Sequence, residues 1–360
     1  MKKVMIYAYT KFNLGDDLFI KVLCERYPNV KFVLYAPKEY KFVFNQINNL
    51  QVIPSNSFII RFINLALRQI RKGLSIRQFV ANRCNAAVYI GGSIFMQQDN
   101  WQQTLRKKEK MKIKNKPFYV IGANFGPYQD EEFYVQYKEL FKTYTDICFR
   151  EEYSYNLFND LENVRVANDV IFNLKSQKKL SRKNIVISVI KPSIRKEFKG
   201  IDEIYYQKIK ELSIYFIDKG YEVILMSFCE YEEDNEAVEE ILRTIPKKYS
   251  NCITKHFYKY NLDETLTKIT TTSFVIATRF HAMILGWVYN KPVFPIIYSK
   301  KMTNDIKDIS FSGLYTEIKK INTLDVSQVY ENMKKNKIDL TKHLIDAEKQ
   351  FEKLDEFLLN

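Results

Sequence analysis

The sequence predicts an α/β protein of two doubly wound, Rossmann-like domains in tandem, with an amphipathic helix at the C-terminal end. Three observations lead there. Short apolar runs of strand type alternate with helical segments, as in parallel sheets with right-handed crossovers. That alternation breaks once, at the polar, aperiodic stretch Lys175 to Lys183, and then restarts. The length, 360 residues, exceeds what one hydrophobic core usually serves. The predicted divisions are residues 1–174, a linker over 175–183, residues 184–337, and a terminal helix over 338–360 that packs on the body of the protein.

Composition narrows the class. With 46% hydrophobic residues, 15% aromatic residues, ten Gly and nine Pro, the chain has ample core and is neither fibrous nor disordered. The formal charge of +14 calls for anionic partners: nucleic acid, anionic lipid or phosphorylated substrates. Cys24, Cys84, Cys148, Cys229 and Cys252 are odd in number and widely spaced, and read as buried thiols in a reducing compartment rather than a zinc site. No apolar run approaches the ~20 residues of a membrane-spanning helix. The expectation is a cytoplasmic protein.

In chain order, Val4 to Tyr9 reads as the first strand, and Asn13-Leu14-Gly15-Asp16-Asp17 as the turn into the first helix. Glycine permits a tight turn there, and either acid can cap the helix, hold a sugar hydroxyl or accept a proton. Lys31 to Tyr35 and Gln51 to Ile53 are short strands. Phe58 to Arg83 is a helical segment with Ile59, Ile60, Ile63, Leu67 and Ile70 on one side and Arg61, Arg68, Arg71, Lys72, Arg77 and Arg83 elsewhere. Such a segment either buries its stripe in the core or lies on an anionic membrane, as at the inner face of a plasma membrane.

Ala86 to Ile90 is an apolar strand ending in Gly91-Gly92-Ser93, where a ligand could approach the backbone closely. The basic stretch Gln102 to Lys116 reads as a solvated helix, and the strand Pro117 to Ile121 leads to a second glycine loop holding Asn124 and Gly126. Glu131 to Thr143 is helical, Thr145 to Phe149 is a strand, and Arg150 stands at its end, ahead of a helix with Ser154. Val164 to Ala167 closes the first half.

The second half alternates strands at 184–190, 221–227 and 253–258 with helices at 202–219, 232–242 and 262–269. Then comes the most informative stretch: strand Ser273 to Ala277, Arg279-Phe280-His281, a helix to Asn290, and strand Pro292 to Tyr298 with Lys300 beyond it. In open parallel sheets ligands sit at the carboxyl ends of strands, where helix N-termini offer N–H groups to anions. Arg279 and His281 fall at that place. Leu340, Leu344, Ala347, Phe351, Leu354 and Leu358 give the last helix its stripe.

Asn13-Leu14-Gly15-Asp16-Asp17, Gly91-Gly92-Ser93, Gly122 with Gly126-Pro127, Arg150-Glu151 with Ser154, Asp169, Arg279-Phe280-His281-Ala282, and Pro292 with Tyr298 and Lys300 form an ordered set. Its order resembles that of the polysaccharide pyruvyltransferase family, from near residue 4 to near residue 305. Members usually carry more glycine before the Gly-Asp turn, where this chain has Lys11 and Phe12, and three or four glycines where it has Gly91-Gly92-Ser93. The resemblance implies the two-domain architecture of GT-B glycosyltransferases, with an acceptor side in the first domain and a donor side in the second. It further implies phosphoenolpyruvate as donor substrate, a sugar diol as acceptor, lipid-linked in one version, and a pyruvate ketal of a bacterial surface polysaccharide as product. No cofactor or metal is expected.

The residues fit that chemistry. Phosphoenolpyruvate presents a carboxylate and a phosphate, which guanidinium forks such as Arg150 and Arg279 can hold. His281 is the candidate proton donor to the methylene, since an imidazole of pKa ~6.5 suits neutral pH. Asp16 and Asp17 are the other catalytic candidates. Substrate contacts are expected from Gly15, Gly91, Gly92, Ser93, Asn124, Gly126, Ser154, Phe280, Tyr298 and Lys300. Two other readings stay open: a GT-B glycosyltransferase using a nucleotide sugar, and a basic protein binding nucleic acid or an anionic surface. The second lacks aromatic platforms among its basic runs and any nucleic-acid motif, so no nucleic-acid partner is expected.

Overall fold

Among the described residues thirteen strands build two parallel sheets. The computed structural model describes residues 1–70, 75–175 and 179–359, and not the side chains of 68–70. The expected roles of Arg68, Ile70, Arg71 and Lys72, and the middle of the linker, therefore lie outside the described residues.

The first sheet holds β1 (Lys3–Tyr7), β2 (Lys31–Ala36), β3 (Leu50–Pro54), β4 (Ala86–Ile90), β5 (Phe118–Ala123), β6 (Asp146–Phe149) and β7 (Val164–Val166). Their order is β3-β2-β1-β4-β5-β6-β7, with every neighbouring pair parallel. The second holds β8 (Asn184–Ser188), β9 (Glu222–Ser227), β10 (Ile253–Phe257), β11 (Phe274–Ala277), β12 (Val293–Ile297) and β13 (Thr316–Glu317), ordered β10-β9-β8-β11-β12-β13 and again all parallel. Both are doubly wound. Every residue of β5, β6, β8, β11 and β12 is buried, as expected for strands covered by helices on both faces. The strand order reverses between β1 and β4 and between β8 and β11, which makes the loops after those strands the natural ligand positions.

The chain divides into two compact units. One comprises Met1–Thr10, Asp16–Asn173 and His343–Asn360; the other comprises Lys11–Gly15 and Leu174–Lys342. Sequence reasoning assigned residues 11–15 to the first domain. They join the second because Leu14 N–H donates to the Phe228 carbonyl at 3.1 Å and Asn13 bridges Cys229.

Two expectations for the first unit change. The basic stretch 102–116 is helical only over Trp101–Glu109, and Trp101, Leu105 and Lys108 are buried. Helix Phe58–Ile70 turns Ile60, Asn64 and Leu67 partly inward and leaves Phe58, Ile59, Phe62, Ile63 and Leu65 exposed, so of the predicted stripe Ile60 and Leu67 face the unit while Ile59 and Ile63 do not. Asn64 anchors that face by donating to the Tyr35 hydroxyl at 3.3 Å and accepting from Ile76 N–H at 2.9 Å.

The terminal helix packs on the first unit, but in two pieces, Thr341–Glu348 and Glu352–Leu358, joined by a 3₁₀ turn over Lys349–Phe351. The turn delivers Gln350, which is fully buried. Its side-chain carbonyl accepts from Gly122 N–H at 2.9 Å, and its amide donates to the carbonyls of Phe149, Ala167 and Asn168 at 3.1, 2.7 and 3.1 Å. Asp355 adds a fork, accepting from Arg26 Nε at 3.1 Å and Nη2 at 2.6 Å and from the Tyr27 hydroxyl at 2.6 Å. Leu344, expected in the stripe, is exposed.

Replacing Gln350 by leucine takes the side-chain partner from the Gly122 N–H and from the carbonyls of Ala167 and Asn168, while the Phe149 carbonyl still accepts from Ala167 N–H at 3.0 Å. The variant should lose about 2–4 kcal/mol of stability. Urea unfolding checks this, and a midpoint equal to the wild type would contradict it.

Candidate active site

In the second unit the site begins with a close approach. Gly15 lies so near the His281 ring that a Cβ built on it would sit 1.7 Å from Nδ1 and 2.2 Å from Cε1. No side chain fits at position 15 while the imidazole keeps this place. The reason for the glycine is thus the histidine as well as the turn.

His281 is the second residue of helix Phe280–Val288, which follows β11 at the reversal of strand order. Ser188, at the end of β8, fixes the start of that helix: its hydroxyl accepts from Thr278 N–H and Arg279 N–H, both at 3.0 Å. The His281 ring also packs edge-on against Phe280, with centroids 4.9 Å apart.

Arg279 is buried and engaged by carboxylates. Nε donates to Asp234 Oδ2 at 2.8 Å, Nη2 to Asp234 Oδ1, and Nη1 to Glu232 Oε2 at 2.6 Å. Asp234 Oδ2 also accepts from Phe228 N–H at 3.1 Å and Cys229 N–H at 3.0 Å. Those are the residues that receive Asn13 and Leu14. The contacts therefore close a ring: Arg279 holds Asp234, Asp234 holds the 228–229 loop, that loop holds residues 13–14, and Gly15 then lies against His281.

Burial works against the Arg279 charge, but Asp234 and Glu232 more than offset it and hold the guanidinium well above its ordinary value. Burial likewise opposes ionisation of Glu232, yet Arg279 and Arg195 hold its carboxyl down to about 2. Arg195 Nη2 donates to Glu232 Oε2 at 2.8 Å, and its guanidinium lies 4.4 Å from the centre of the Tyr298 ring. Its Nη1 is buried and finds no acceptor among the described residues. The Tyr298 phenol is brought below its ordinary value by Lys301, Arg195 and Arg279 against the opposing effect of burial. Lys300 is exposed, whereas Lys301 lies over the buried Phe280 ring at 5.1 Å.

The first unit has its own buried arginine. Arg150 Nη1 donates to Asp169 Oδ2 and Nη2 to Asn124 Oδ1, both at 2.8 Å. A Cβ on Gly92 would stand 2.7 Å from Cζ, Nη1 and Nη2 alike, so the guanidinium plane lies flat on that glycine. The expectation that the paired glycines admit a ligand is revised for Gly92: a protein side chain occupies the approach. Asn124 N–H donates to the Gly92 carbonyl at 2.9 Å and Ser93 Oγ to Asn124 Oδ1 at 3.3 Å. Asn124 Nδ2 reaches the Gly126 carbonyl at 3.4 Å. A Cβ on Gly91 would meet Asp16 Oδ1 at 3.6 Å. Asp16, Gly91, Gly92, Ser93, Asn124, Gly126 and Arg150 thus gather at the carboxyl ends of β1, β4, β5 and β6.

Two expected site residues do not reach solvent. Ser154 is fully buried; its hydroxyl accepts from Phe125 N–H and donates to Glu151, both at 2.7 Å, so it shapes the loop instead of touching substrate. Asp17 is also fully buried, whereas Asp16 is partly exposed.

Sequence reasoning missed Glu232, Asp234, Arg195 and Lys108. The acids stand in Glu230-Tyr231-Glu232-Glu233-Asp234, which reads as an ordinary acidic helix start. Lys108 stands in a run of charges, yet its ammonium donates to the Ile94 carbonyl and, at 3.3 Å, to the Tyr137 hydroxyl, pinning the loop beyond Ser93. Burial among Tyr89, Phe95 and Tyr137 holds it down to about 7. Among the described residues no group of His, Cys, Asp and Glu is placed to hold a metal, and no helix is long and apolar enough to cross a membrane.

A family model for polysaccharide pyruvyl transferases matches residues 13–300, the span from Asn13 to Lys300 that carries both clusters. The chain belongs to that family. No curated protein matches its sequence. Among solved structures it is similar to UDP-GlcNAc 2-epimerase from Neisseria meningitidis bound to UDP-GlcNAc, at 11% identity over 100% of both chains with a TM-score of 0.62. It is also similar to S. aureus MnaA with UDP, at 13% identity over 99% of this chain and 97% of that one, TM-score 0.62. Anabaena HepE in complex with UDP and glucose shows 12% identity over 100% of both chains, TM-score 0.61. At such identities the likeness concerns the fold, which is of the GT-B kind.

The Glu232 value sets an acid limb for stability. Its folded pKa, about 2, is depressed from the ordinary 4.5, so its contribution is fully present above pH 4.5 and disappears as pH falls from there toward 2. The contribution is about 3 kcal/mol at neutral pH. Unfolding midpoints measured from pH 6 downward should fall more steeply in wild type than in Glu232→Gln over that window. Parallel curves would contradict the assignment.

Proposed function

We propose that this family member transfers the pyruvate unit of phosphoenolpyruvate to two hydroxyls of a sugar as a cyclic ketal, releasing inorganic phosphate. The observation that carries the reading is the seating of His281 on Gly15. It fixes the imidazole at a helix start against the turn of residues 11–15, within one unit, which suits a proton donor that must hold one position.

In the proposed sequence His281 protonates the methylene carbon, leaving C2 electrophilic. One sugar hydroxyl adds to C2 as Asp16 accepts its proton. The C2–O bond to phosphate then breaks, phosphate leaves, and the second hydroxyl closes the ketal with loss of its proton. Two hydroxyl protons are lost; one balances the proton delivered to carbon and the other leaves with phosphate. The acceptor is a sugar of a surface polysaccharide, carried on lipid. The loops with Gly91, Ser93, Asn124 and Gly126, organised by Arg150, are assigned to the acceptor, and Tyr298, Phe280 and Lys300 to the donor. Arg195 is the stronger candidate for a donor anion than Arg279, because Arg279 has all three nitrogens on carboxylates whereas Arg195 Nη1 meets no acceptor among the described residues.

The test is to incubate purified protein with phosphoenolpyruvate or a nucleotide sugar and candidate lipid-linked or nucleotide-activated acceptors. Phosphate release with ketal in the product supports the reading. Release of nucleotide alone overturns it in favour of glycosyl transfer.

With the reaction in hand, His281→Gln should lower kcat by about 10² to 10⁴ while donor affinity and melting temperature stay near wild type. Gly15→Ala pushes the imidazole from its seat and should lower kcat by about 10². Arg195→Ala should instead weaken donor binding by about tenfold or more in calorimetry, since a charge-assisted hydrogen bond is lost. A wild-type kcat in folded His281→Gln protein removes the acid role.

A further inference from the structure

Helix Phe58–Ile70 carries the largest concentration of exposed apolar side chains in the first unit. Phe58, Ile59, Phe62 and Leu65 are 83, 68, 66 and 60% exposed. At 100° per residue, Phe58, Phe62 and Leu65 fall on one line of the helix and Ile59 beside it. The opposite side is the one held to the unit: Ile60 and Leu67 are partly covered, and Asn64 ties down both Tyr35 and the start of helix Ile76–Ala81. The outward row therefore does not await burial by rotation of the helix. Turning it inward would pull Asn64 from its two partners.

Charge identifies what meets this row. Between Glu39 and Asp99 the chain has no acidic residue, while it carries Lys41, Arg61, Arg68, Arg71, Lys72, Arg77 and Arg83. Arg61 is exposed on the helix itself. On the neighbouring helix Ile76–Ala81, Phe79 is 53% exposed and the Arg83 guanidinium lies 3.6 Å from its ring centre. A second copy of this surface would bring basic residues against basic residues. A convex row of large apolar side chains flanked by arginines instead suits a plane whose surface is anionic and whose interior is hydrocarbon.

We propose that helix Phe58–Ile70 docks the protein on an anionic phospholipid membrane, with Phe58, Ile59, Phe62 and Leu65 among the acyl chains and Arg61 at the headgroups. Stable association takes two signals, and this segment supplies both: apolar insertion and basic attraction. The inference stands on the exposed row and its charge, whatever group the enzyme transfers. A lipid-linked acceptor would lie in that surface.

The full-length protein is to be sedimented with vesicles of phosphatidylcholine alone and of phosphatidylcholine mixed with phosphatidylglycerol, at low and high salt. Wild type should pellet with the anionic vesicles and bind at least tenfold more weakly to the neutral ones or at high salt. The double variant Phe58→Ser with Phe62→Ser should lose tenfold or more in affinity at an unchanged melting temperature, because both side chains are exposed. Arg61→Glu should also bind more weakly. Trp101 and Trp287 are buried, so the indole introduced by Phe62→Trp reports its own surroundings. Its emission should shift to the blue on anionic vesicles and be quenched by brominated acyl chains.

Wild type left in the supernatant overturns the proposal, as does equal binding by the double serine variant or an unshifted emission in pelleted Phe62→Trp protein. Light scattering that shows a dimer in wild type and a monomer in the serine variant would assign the row to a second copy and overturn the membrane reading.

Discussion

The buried pair of Arg279 and Asp234 is the interaction on which the second unit's site depends. Both side chains are out of water, so removing either partner would strand a charge, at a cost of about 3–5 kcal/mol. Stability is the smaller part of its meaning, because a well-packed apolar pair could do as well. What apolar groups could not do is accept two backbone N–H groups while gripping a guanidinium. Asp234 does this for Phe228 and Cys229, and the loop so held receives Asn13 and Leu14. The position of Gly15 under His281 follows from that pair.

Arg150 plays a similar part in the first unit, although its partners differ. It joins Asp169 beyond β7 to Asn124 beyond β5 and lies on Gly92 beyond β4, so one guanidinium sets the relation of three strand-end loops. In both units a glycine makes room for a protein side chain that carries or organises chemistry. Glycine loops at strand ends are ordinarily read as space for a ligand; at Gly15 and Gly92 that space is filled from within the same unit.

The alternation of strand and helix was legible because buried parallel strands are continuous apolar runs, and their ends locate the loops without further information. That the glycines, Arg150, Arg279 and His281 stand at strand ends was legible too, because the apolar runs locate those ends. The partners of the arginines were not. Glu232 and Asp234 look like helix-start acids, and only the three-dimensional path of the chain brings Arg279 to them. The orientation of Phe58–Ile70 was hidden for another reason. The apolar face of that helix is much wider than one inward stripe, so the pattern does not say which part of it is buried, and the two hydrogen bonds of Asn64 decide it. Gln350 escaped notice because a polar residue beside the stripe of a terminal helix carries no sign of the four backbone groups it satisfies.

The departure from the family's usual glycine before the Gly-Asp turn has a structural counterpart. Phe12 has a φ of +52°, in the left-handed region, so position 12 does require the conformation that glycine adopts freely. A phenylalanine there costs about 1–2 kcal/mol of backbone strain. It also gains a contact glycine cannot make: its ring meets Tyr260 edge-on at 5.2 Å. Edge-to-face pairs contribute about 0.5–1.5 kcal/mol beyond the area they bury, so the strain is largely offset. The exchange removes backbone freedom from the turn. Residues 11–15 are then held at Phe12 by an aromatic contact and at Asn13 and Leu14 by the 228–229 loop, which leaves Gly15 little latitude to withdraw from the imidazole. In this chain the place of His281 is fixed by a stiffened turn on one side and a buried ion pair on the other.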